Sequence, residues 1–408
     1  MKILQINKFH FPQGGADVHY LELSRLLRQK GHEVINFSMR HPQNEQCAYQ
    51  EFFTDQLDLM RPGFSPKAIS TAVKFIYNRQ AAGNLEKLIQ KTRPDIAHIH
   101  NIYHQLSPSL LLTLKKYNIP VIMTAHDHKL ICPNYGFYAH GRACEHSLGK
   151  KYYQCALHKC IKNSFLASVL CALENTIHDY LGWYRKNIDV VITPSNYLKK
   201  RLEQGESRLK KIIVLPNFVD TDFWTPDNSA RKKQFVFVGR LSPEKGILSL
   251  LTAWKEIRNL DHQLLLVGTG PQENELKHFA RQSGLQDRVM FLGRQPKEVI
   301  KKLYQESIAT VLPSVSPDIF PLTAAESLAC GTSLIVSDQG GLPETVRNGE
   351  LGIIFPAGNT EKLQEVLKQA MTQPQNMLEK GRKGSSWAKK QLNSKDYCQK
   401  LLRIYTEL

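Results

Sequence analysis

Apolar, strand-like runs that alternate with helical periodicity along the whole chain predict an α/β protein built from two Rossmann-like domains. Three observations carry that reading. The chain has 408 residues, too many for one ordinary core, and suits two domains of roughly 200 residues each. Glycine-rich turns join a strand to a helix in both halves, at Gly14-Gly15 and between Gly239 and Gly246. A polar stretch at residues 225–233, with Pro, Asn, Ser and a run of charge, reads as part of a linker region. The expected boundaries are 1–195 and 196–385, with a closing helix over 386–408.

In the first half, residues 2–6 form a short apolar strand and residues 16–30 carry helical periodicity through Val18, Leu21, Leu23, Leu26 and Leu27, ended by Gly31. Two adjacent glycines before that helix permit close backbone approach to a diphosphate, and the helix dipole favours its charge. A plain tight loop would have the same sequence. Further strands are expected at 33–39, 95–100 and 120–124, with a helix through about 85–91, and 188–193 reads as the last strand of this half. Ser195 is placed to cap the basic helix that follows. The strand at 120–124 runs into Ala-His-Asp-His, so His126 stands at a strand's carboxyl end beside an acid. His98, His100, His104 and His128 read as background.

In the second half a Phe/Val strand at 234–239 leads into Arg240-Leu-Ser-Pro-Glu-Lys245-Gly. A fork-shaped cation and a point charge five residues apart at a strand-to-helix turn suit a pyrophosphate. The strand at 263–267 enters Gly-Thr-Gly-Pro271, where proline marks a helix start, and residues 289–294 read as strand and turn. Residues 313–344 then give a loop, a short amphipathic helix over about 323–329 closed by Gly331, a strand at 333–336 and an Asp-Gln-Gly-Gly turn. Two loops therefore emerge at the carboxyl edge of one parallel sheet. Asp318 and Glu326 lie eight positions apart, one on the loop and one in the helix. A capping Asp and a solvent-facing Glu would be the ordinary alternative. A strand at 351–355 and helices over 360–371 and 378–408 complete the chain.

These motifs resemble those of the family 4 glycosyltransferases, retaining enzymes of the GT-B fold with two Rossmann-like domains facing across a cleft. The resemblance rests on the E-x7-E-like pair Asp318/Glu326, the string GRLSPEKG over 239–246, the TAHDHKLICP stretch from Thr124, which is similar to polysaccharide-assembling members, and Pro-Asn-Phe-Val-Asp at 216–220. It departs from the family in Asp for the commoner Glu at 318 and in Phe218 for glycine. It implies an acceptor-binding first domain, a nucleotide-sugar-binding second domain and a last helix crossing back onto the first. Asp318 would then contact the transferred sugar and Glu326 the ribose. Arg240 and Lys245 would stabilise the departing diphosphate in place of the metal used by other transferases, and His126 would serve the sugar or acceptor. Gly14 and Gly15 would face the donor phosphates, Gly293 and Arg294 the base, and Phe320, Pro321, Leu322 and Thr323 would complete the donor pocket. The implied reaction moves a sugar from a UDP- or GDP-sugar to a hydroxyl of a lipid-linked or growing saccharide in surface polysaccharide assembly, with no cofactor and no metal in the site. A nucleotide-sugar epimerase and a catalytically idle nucleotide-binding scaffold are the alternatives.

The formal charge of +17 calls for an anionic partner. No zinc-finger spacing, RNP-type strand or basic tail accompanies it, which argues against nucleic acid. Basic residues crowd the middle of the chain, among them Lys150, Lys151, Lys159, Lys162, Arg185, Lys186, Lys199, Lys200 and Arg201, interleaved with Phe165, Leu166, Trp183 and Tyr184. That pattern suits peripheral attachment to acidic lipids as well as ordinary solvated helix faces. No run approaches the roughly 20 apolar residues of a membrane span, and the start lacks a signal-peptide core, so a cytoplasmic protein is expected. Eight cysteines in that setting argue for thiols. Cys132, Cys144, Cys155 and Cys160 cluster in one insertion without a C-x2-C pair, leaving a structural zinc open.

Overall fold

The computed structural model describes residues 1–57, 66–205, 207–227, 230–257 and 261–408. Asn228 and Ser229 of the expected linker lie outside them. The chain divides into two compact units, one of Met1–His140, Cys144–Leu215 and Cys398–Leu408, the other of Gly141–Ala143 and Pro216–Tyr397.

The first unit is built on a six-stranded sheet of β1 (Lys2–Ile6), β2 (Glu33–Phe37), β3 (Ile96–Ile99), β4 (Val121–Thr124), β7 (Val190–Thr193) and β8 (Ile212–Val214). Its order is β2-β1-β3-β4-β7-β8 and every pair is parallel. Two-residue strands β5 (Tyr138–Ala139) and β6 (Arg142–Ala143) sit in the insertion after β4. All four residues of β3, β4 and β7 are buried, as expected where helices cover both faces of a parallel sheet. Helix Gly15–Gln29 buries Tyr20, Leu21, Leu23, Leu26 and Leu27 on one face, and Gly31, at φ +82°, takes the left-handed turn that ends it. Ser195 Oγ accepts from Leu198 N at 3.3 Å and opens helix Asn196–Gln204.

The second unit repeats the plan with β9 (Gln234–Val238), β10 (Gln263–Val267), β11 (Val289–Gly293), β12 (Ala309–Leu312), β13 (Ser333–Ser337) and β14 (Gly352–Phe355). Their order is β11-β10-β9-β12-β13-β14, again all parallel. Its core gathers Phe235, Phe237, Leu250, Trp254, Leu264, Leu276, Val311 and Ile335.

Three expectations change. The first sheet does not end at Thr193: Ile212–Val214 pairs with β7 as its edge strand, so the unit runs to Leu215, past the expected boundary at 195. Pro271 does not begin a helix; Gln272 is the cap and the helix spans Glu273–Gln282. The lysine-rich end is two helices, Pro374–Gln391 and Ser394–Thr406. Residues from Cys398 onward belong to the first unit, where the Tyr405 hydroxyl lies 2.6 Å from His98 Nδ1.

Candidate active site

In the second unit the chain runs outward from β9 to β10 and β11, then returns to lay β12 on the opposite side of β9. The carboxyl ends of β9 and β12 are therefore a topological switch point, where doubly wound sheets leave a crevice for ligands. The turn after β9 carries Arg240, solvent-exposed, and Lys245 at the end of the short helix Pro243–Lys245. Gly246 follows at φ +68°, and a Cβ there would fall 2.0 Å from the Pro313 carbonyl oxygen. Only glycine allows that approach. The two loops are also joined by Val315 N donating to Glu244 O at 2.9 Å.

This latch sets Lys245 Nζ 2.6 Å from Asp318 Oδ1. Ser314 Oγ donates to the other carboxylate oxygen at 2.5 Å, and the Asp318 carbonyl accepts from Gly341 N at 2.6 Å. The Gly-Gly turn after β13 thus fixes the acid from below, with Gly340 at φ +63° and no room for a Cβ against Asp318 O. Phe320 is buried and Pro321 caps helix Leu322–Ala329, whose first turn has no side-chain cap. Leu322 and Thr323 are half-buried there. Glu326, one turn in, accepts from Tyr304 Oη at 3.3 Å. Burial pushes its carboxyl up to about 7 against the lowering effect of that hydrogen bond. Gly293 ends β11 at φ +65°, its carbonyl accepting from Gly268 N at 2.7 Å, and Arg294 Nε reaches Thr269 Oγ1 at 3.4 Å.

In the first unit the switch point lies between β1 and β3. Gly14 and Gly15 follow β1. Gly14 N donates to Asp17 Oδ2 at 3.0 Å, and a Cβ on Gly15 would meet nothing within 4 Å, so at Gly15 the fold itself leaves the space open. His126, just past β4, lies at the head of a hydrogen-bonded file. Its Nε2 is 2.9 Å from His100 Nδ1, His100 Nε2 is 3.0 Å from Gln5 Oε1, and Gln5 Nε2 donates to Tyr405 Oη at 3.4 Å. Burial lowers His126 to about 3 and holds His100 well below its ordinary value, so both rings are neutral at pH 7.

Residues 13–223 match the family described as Glycosyltransferase Family 4, and residues 219–387 match Glycosyl transferases group 1. The chain is a family 4 glycosyltransferase. It is 25% identical over 362 residues to an uncharacterized 42.6 kDa protein in the cps region of Klebsiella pneumoniae, covering 85% of this chain and 88% of that one. Its fold is similar to that of sucrose-phosphate synthase from Thermosynechococcus elongatus, with TM-score 0.75 at 20% identity over 100% of this chain and 98% of that one. The Anabaena protein HepE, solved in complex with UDP and glucose, gives TM-score 0.72 at 17% identity over 100% of both chains. These likenesses place the two six-stranded parallel sheets in the GT-B class.

In this glycosyltransferase the sequence pairs Lys245 with Asp318 only through tertiary contact, since 73 positions separate them. His98 and His100, set aside as background on sequence grounds, join His126 in one network, with His98 Nε2 2.7 Å from Thr124 Oγ1. Their spacing of two on a strand was the available signal, because alternate strand residues share a face. Asp127 does not orient His126. Its carboxylate accepts from the Tyr103 hydroxyl and, at 2.9 Å, from Lys129 N. Trp183 and Tyr184, interleaved with the basic residues of that stretch, are half-buried, Trp183 stacked on His178 with ring centroids 5.3 Å apart.

Proposed function

We propose that this glycosyltransferase is a retaining enzyme that moves a sugar from a UDP- or GDP-sugar to a hydroxyl of a lipid-linked or growing saccharide in surface polysaccharide assembly. The observation that carries the reading is the contact of Lys245 with Asp318 at the β9/β12 switch point, with Glu326 on the helix that follows. The HepE complex, which holds UDP and glucose, and the cps-region relative support the substrate class.

In this reading the second unit holds the donor and the first unit the acceptor. An arriving diphosphate competes with Asp318 for Lys245, so the ion pair opens and the ammonium, the exposed Arg240 and the uncapped amino end of helix Leu322–Ala329 meet the leaving-group charge. Asp318, released from Lys245 but still held by Ser314, faces the sugar. Glu326 accepts the ribose hydroxyls, and backbone groups at Gly293 and Arg294 hold the base. Phe320, Pro321, Leu322 and Thr323 shape the pocket, and in the first unit Gly14 and Gly15 leave the turn after β1 open. The neutral His126 contacts the sugar or the acceptor. The geometry fits a front-face route in which the leaving diphosphate assists the incoming hydroxyl.

We infer further that the enzyme works on an anionic membrane surface at the inner face of the plasma membrane. No helix among the described residues is long and apolar enough to cross a membrane. Helix Phe165–Leu181, however, exposes Phe165, Leu166, Leu173 and Tyr180, and Tyr153 and Leu157 are exposed on the preceding helix. Lys150, Lys151, Lys159 and Lys162 lie in the same segment. An apolar stripe edged by lysines suits acyl chains below and acidic headgroups around them.

A panel of nucleotide-sugars incubated with purified protein tests the main proposal. One donor should be hydrolysed slowly without acceptor, releasing nucleoside diphosphate. Conversion of the sugar without diphosphate release would point to an epimerase, and tight nucleotide binding without turnover to a scaffold. Either outcome overturns the transferase reading.

A further inference from the structure

The insertion between β4 and helix Phe165–Leu181 is poor in regular structure. Of the non-glycine residues with left-handed backbone in the described chain, half fall between Tyr135 and Asn163: Tyr135, Phe137, His140, Lys150, Lys159, Lys162 and Asn163. Each is a conformation that L-residues adopt at a cost. Such a segment needs something beyond a small apolar core to hold it.

Its four cysteines come from four separate stretches, yet Cys132, Cys144, Cys155 and Cys160 all line one small cavity together with Asn134, Tyr138 and Ser147. The cavity measures about 10 Å³, room for about one water or one ion. Cys132 and Cys155 are buried, Cys144 and Cys160 half-buried. Cys160 has the thiols of both Cys144 and Cys155 within hydrogen-bonding reach. Backbone N–H groups point at two of the sulfurs, those of Asn134 and Phe137 at Cys132 and that of His146 at Cys144. In each case one of the donors lies two residues after the cysteine. Donors aimed at sulfur favour thiolate over thiol, because a thiolate only accepts.

We propose that Cys132, Cys144, Cys155 and Cys160 bind one structural zinc ion. Thiolates are what Zn²⁺ takes in closed tetrahedral sites. On binding, each S–H bond is replaced by Zn–S and the four protons leave to solvent, so the centre carries two negative charges. Without a metal, Cys160 is pushed up to about 12: the hydrogen bond with Cys144 lowers it, but the Cys155 thiol and burial outweigh that. The metal reverses that balance by coordinating the thiolates. No three of the four sulfurs lie mutually within 4.8 Å, whereas ligands of a filled site with Zn–S near 2.3 Å stand about 3.8 Å apart. Binding therefore draws the sulfurs inward and tightens the loop that begins at His126.

A second grouping, His104, Cys171 and Glu174, does bring three ligand atoms within 4.8 Å. There Lys129 Nζ already lies 2.7 Å from Glu174 Oε2, and the ammonium occupies the cation's place.

The test uses the full chain, purified without a metal-affinity tag. Native mass spectrometry and elemental analysis should give one zinc per chain, released when a mercurial titrates the thiols. Co²⁺ loaded in its place should show the thiolate-to-metal charge transfer and visible bands of a tetrahedral tetrathiolate. Cys160→Ser should lower metal content at least tenfold, while Cys171→Ser leaves it unchanged. A zinc-free native chain with all thiols reduced, a disulfide among the four cysteines, or a cobalt spectrum without thiolate character would each overturn the proposal. The stoichiometry and the cobalt spectrum decide the matter even if Cys160→Ser fails to fold.

Discussion

In the proposed donor site Lys245 and Glu326 each make a distinct prediction. Lys245 is a partly exposed cation paired with Asp318. Lys245→Ala should therefore fold normally, lower kcat by about 10²–10³ and weaken nucleotide binding; steady-state kinetics with calorimetry checks both. Unchanged kinetics would remove the phosphate-binding role. Glu326 has its carboxyl pushed up to about 7 by burial, so between its unfolded value and about 7 the folded protein binds the extra proton. The contribution of this group to stability is present at low pH and declines as pH rises through that window. In the proposed role, ribose hydroxyls would donate to the ionised form. Nucleotide affinity should thus rise by about tenfold per pH unit below about 7 and level off above it, and Glu326→Gln should flatten the profile in titrations between pH 5 and 8. A wild-type profile as flat as the variant's would separate Glu326 from the ligand.

Among the elements, the glycine turns divide into those the fold requires and those it leaves open. Gly246→Ala must push a methyl against Pro313 O from a left-handed backbone, at a cost of about 3 kcal/mol or more, read as a lower midpoint in denaturant. Gly15→Ala meets nothing within 4 Å and should change stability by under about 0.5 kcal/mol in the same denaturation. A second element, helix Phe165–Leu181, is pinned to the loop after β4 by Lys129 and Glu174, almost fully buried and 2.7 Å apart. Burial pushes the Glu174 carboxyl up, but Lys129 and His104 outweigh it and hold it at about 2. The sign follows: this stabilisation is present above the unfolded value near 4.5 and is lost as pH falls toward 2. Lys129→Met leaves a buried carboxylate with His104, 2.8 Å away, but without its permanent cation, and should cost about 3–5 kcal/mol, much of it restored in the double variant with Glu174→Gln. Chemical denaturation of the three variants measures it. Phe218, where the family pattern has glycine, is accommodated because its ring packs on Tyr397 with centroids 4.6 Å apart.

For the molecule as a whole, the excess of positive charge and the exposed stripe on Phe165–Leu181 make sedimentation with vesicles the natural measurement. Binding to vesicles rich in acidic lipid should fall steeply as salt rises from about 0.05 to 0.5 M, because the Debye length shrinks below the lysine-to-headgroup distance. Salt-independent binding would argue for insertion or for no specific attachment. The alternation of strand and helix was legible in the sequence because side-chain period and turn chemistry are local properties: the glycine turns, the Ser195 cap and the strands in both halves follow from them. Arg240, Lys245, Asp318 and Glu326 likewise sit on short local motifs, and their roles belong to the proposal above. What lay beyond reach were contacts set by the order of strands in the sheets. Ile212–Val214 lies past the strand expected to be the last of its half until β7 offers it a neighbour, and His98 reads as background until Thr124 and Tyr405, 26 and 307 positions away, close a network around it. The four cysteines show the same division: their number and crowding are written in the chain, but their convergence on one cavity is decided by folding, since parallel strands and long crossovers bring together groups whose separation in sequence carries no record of it.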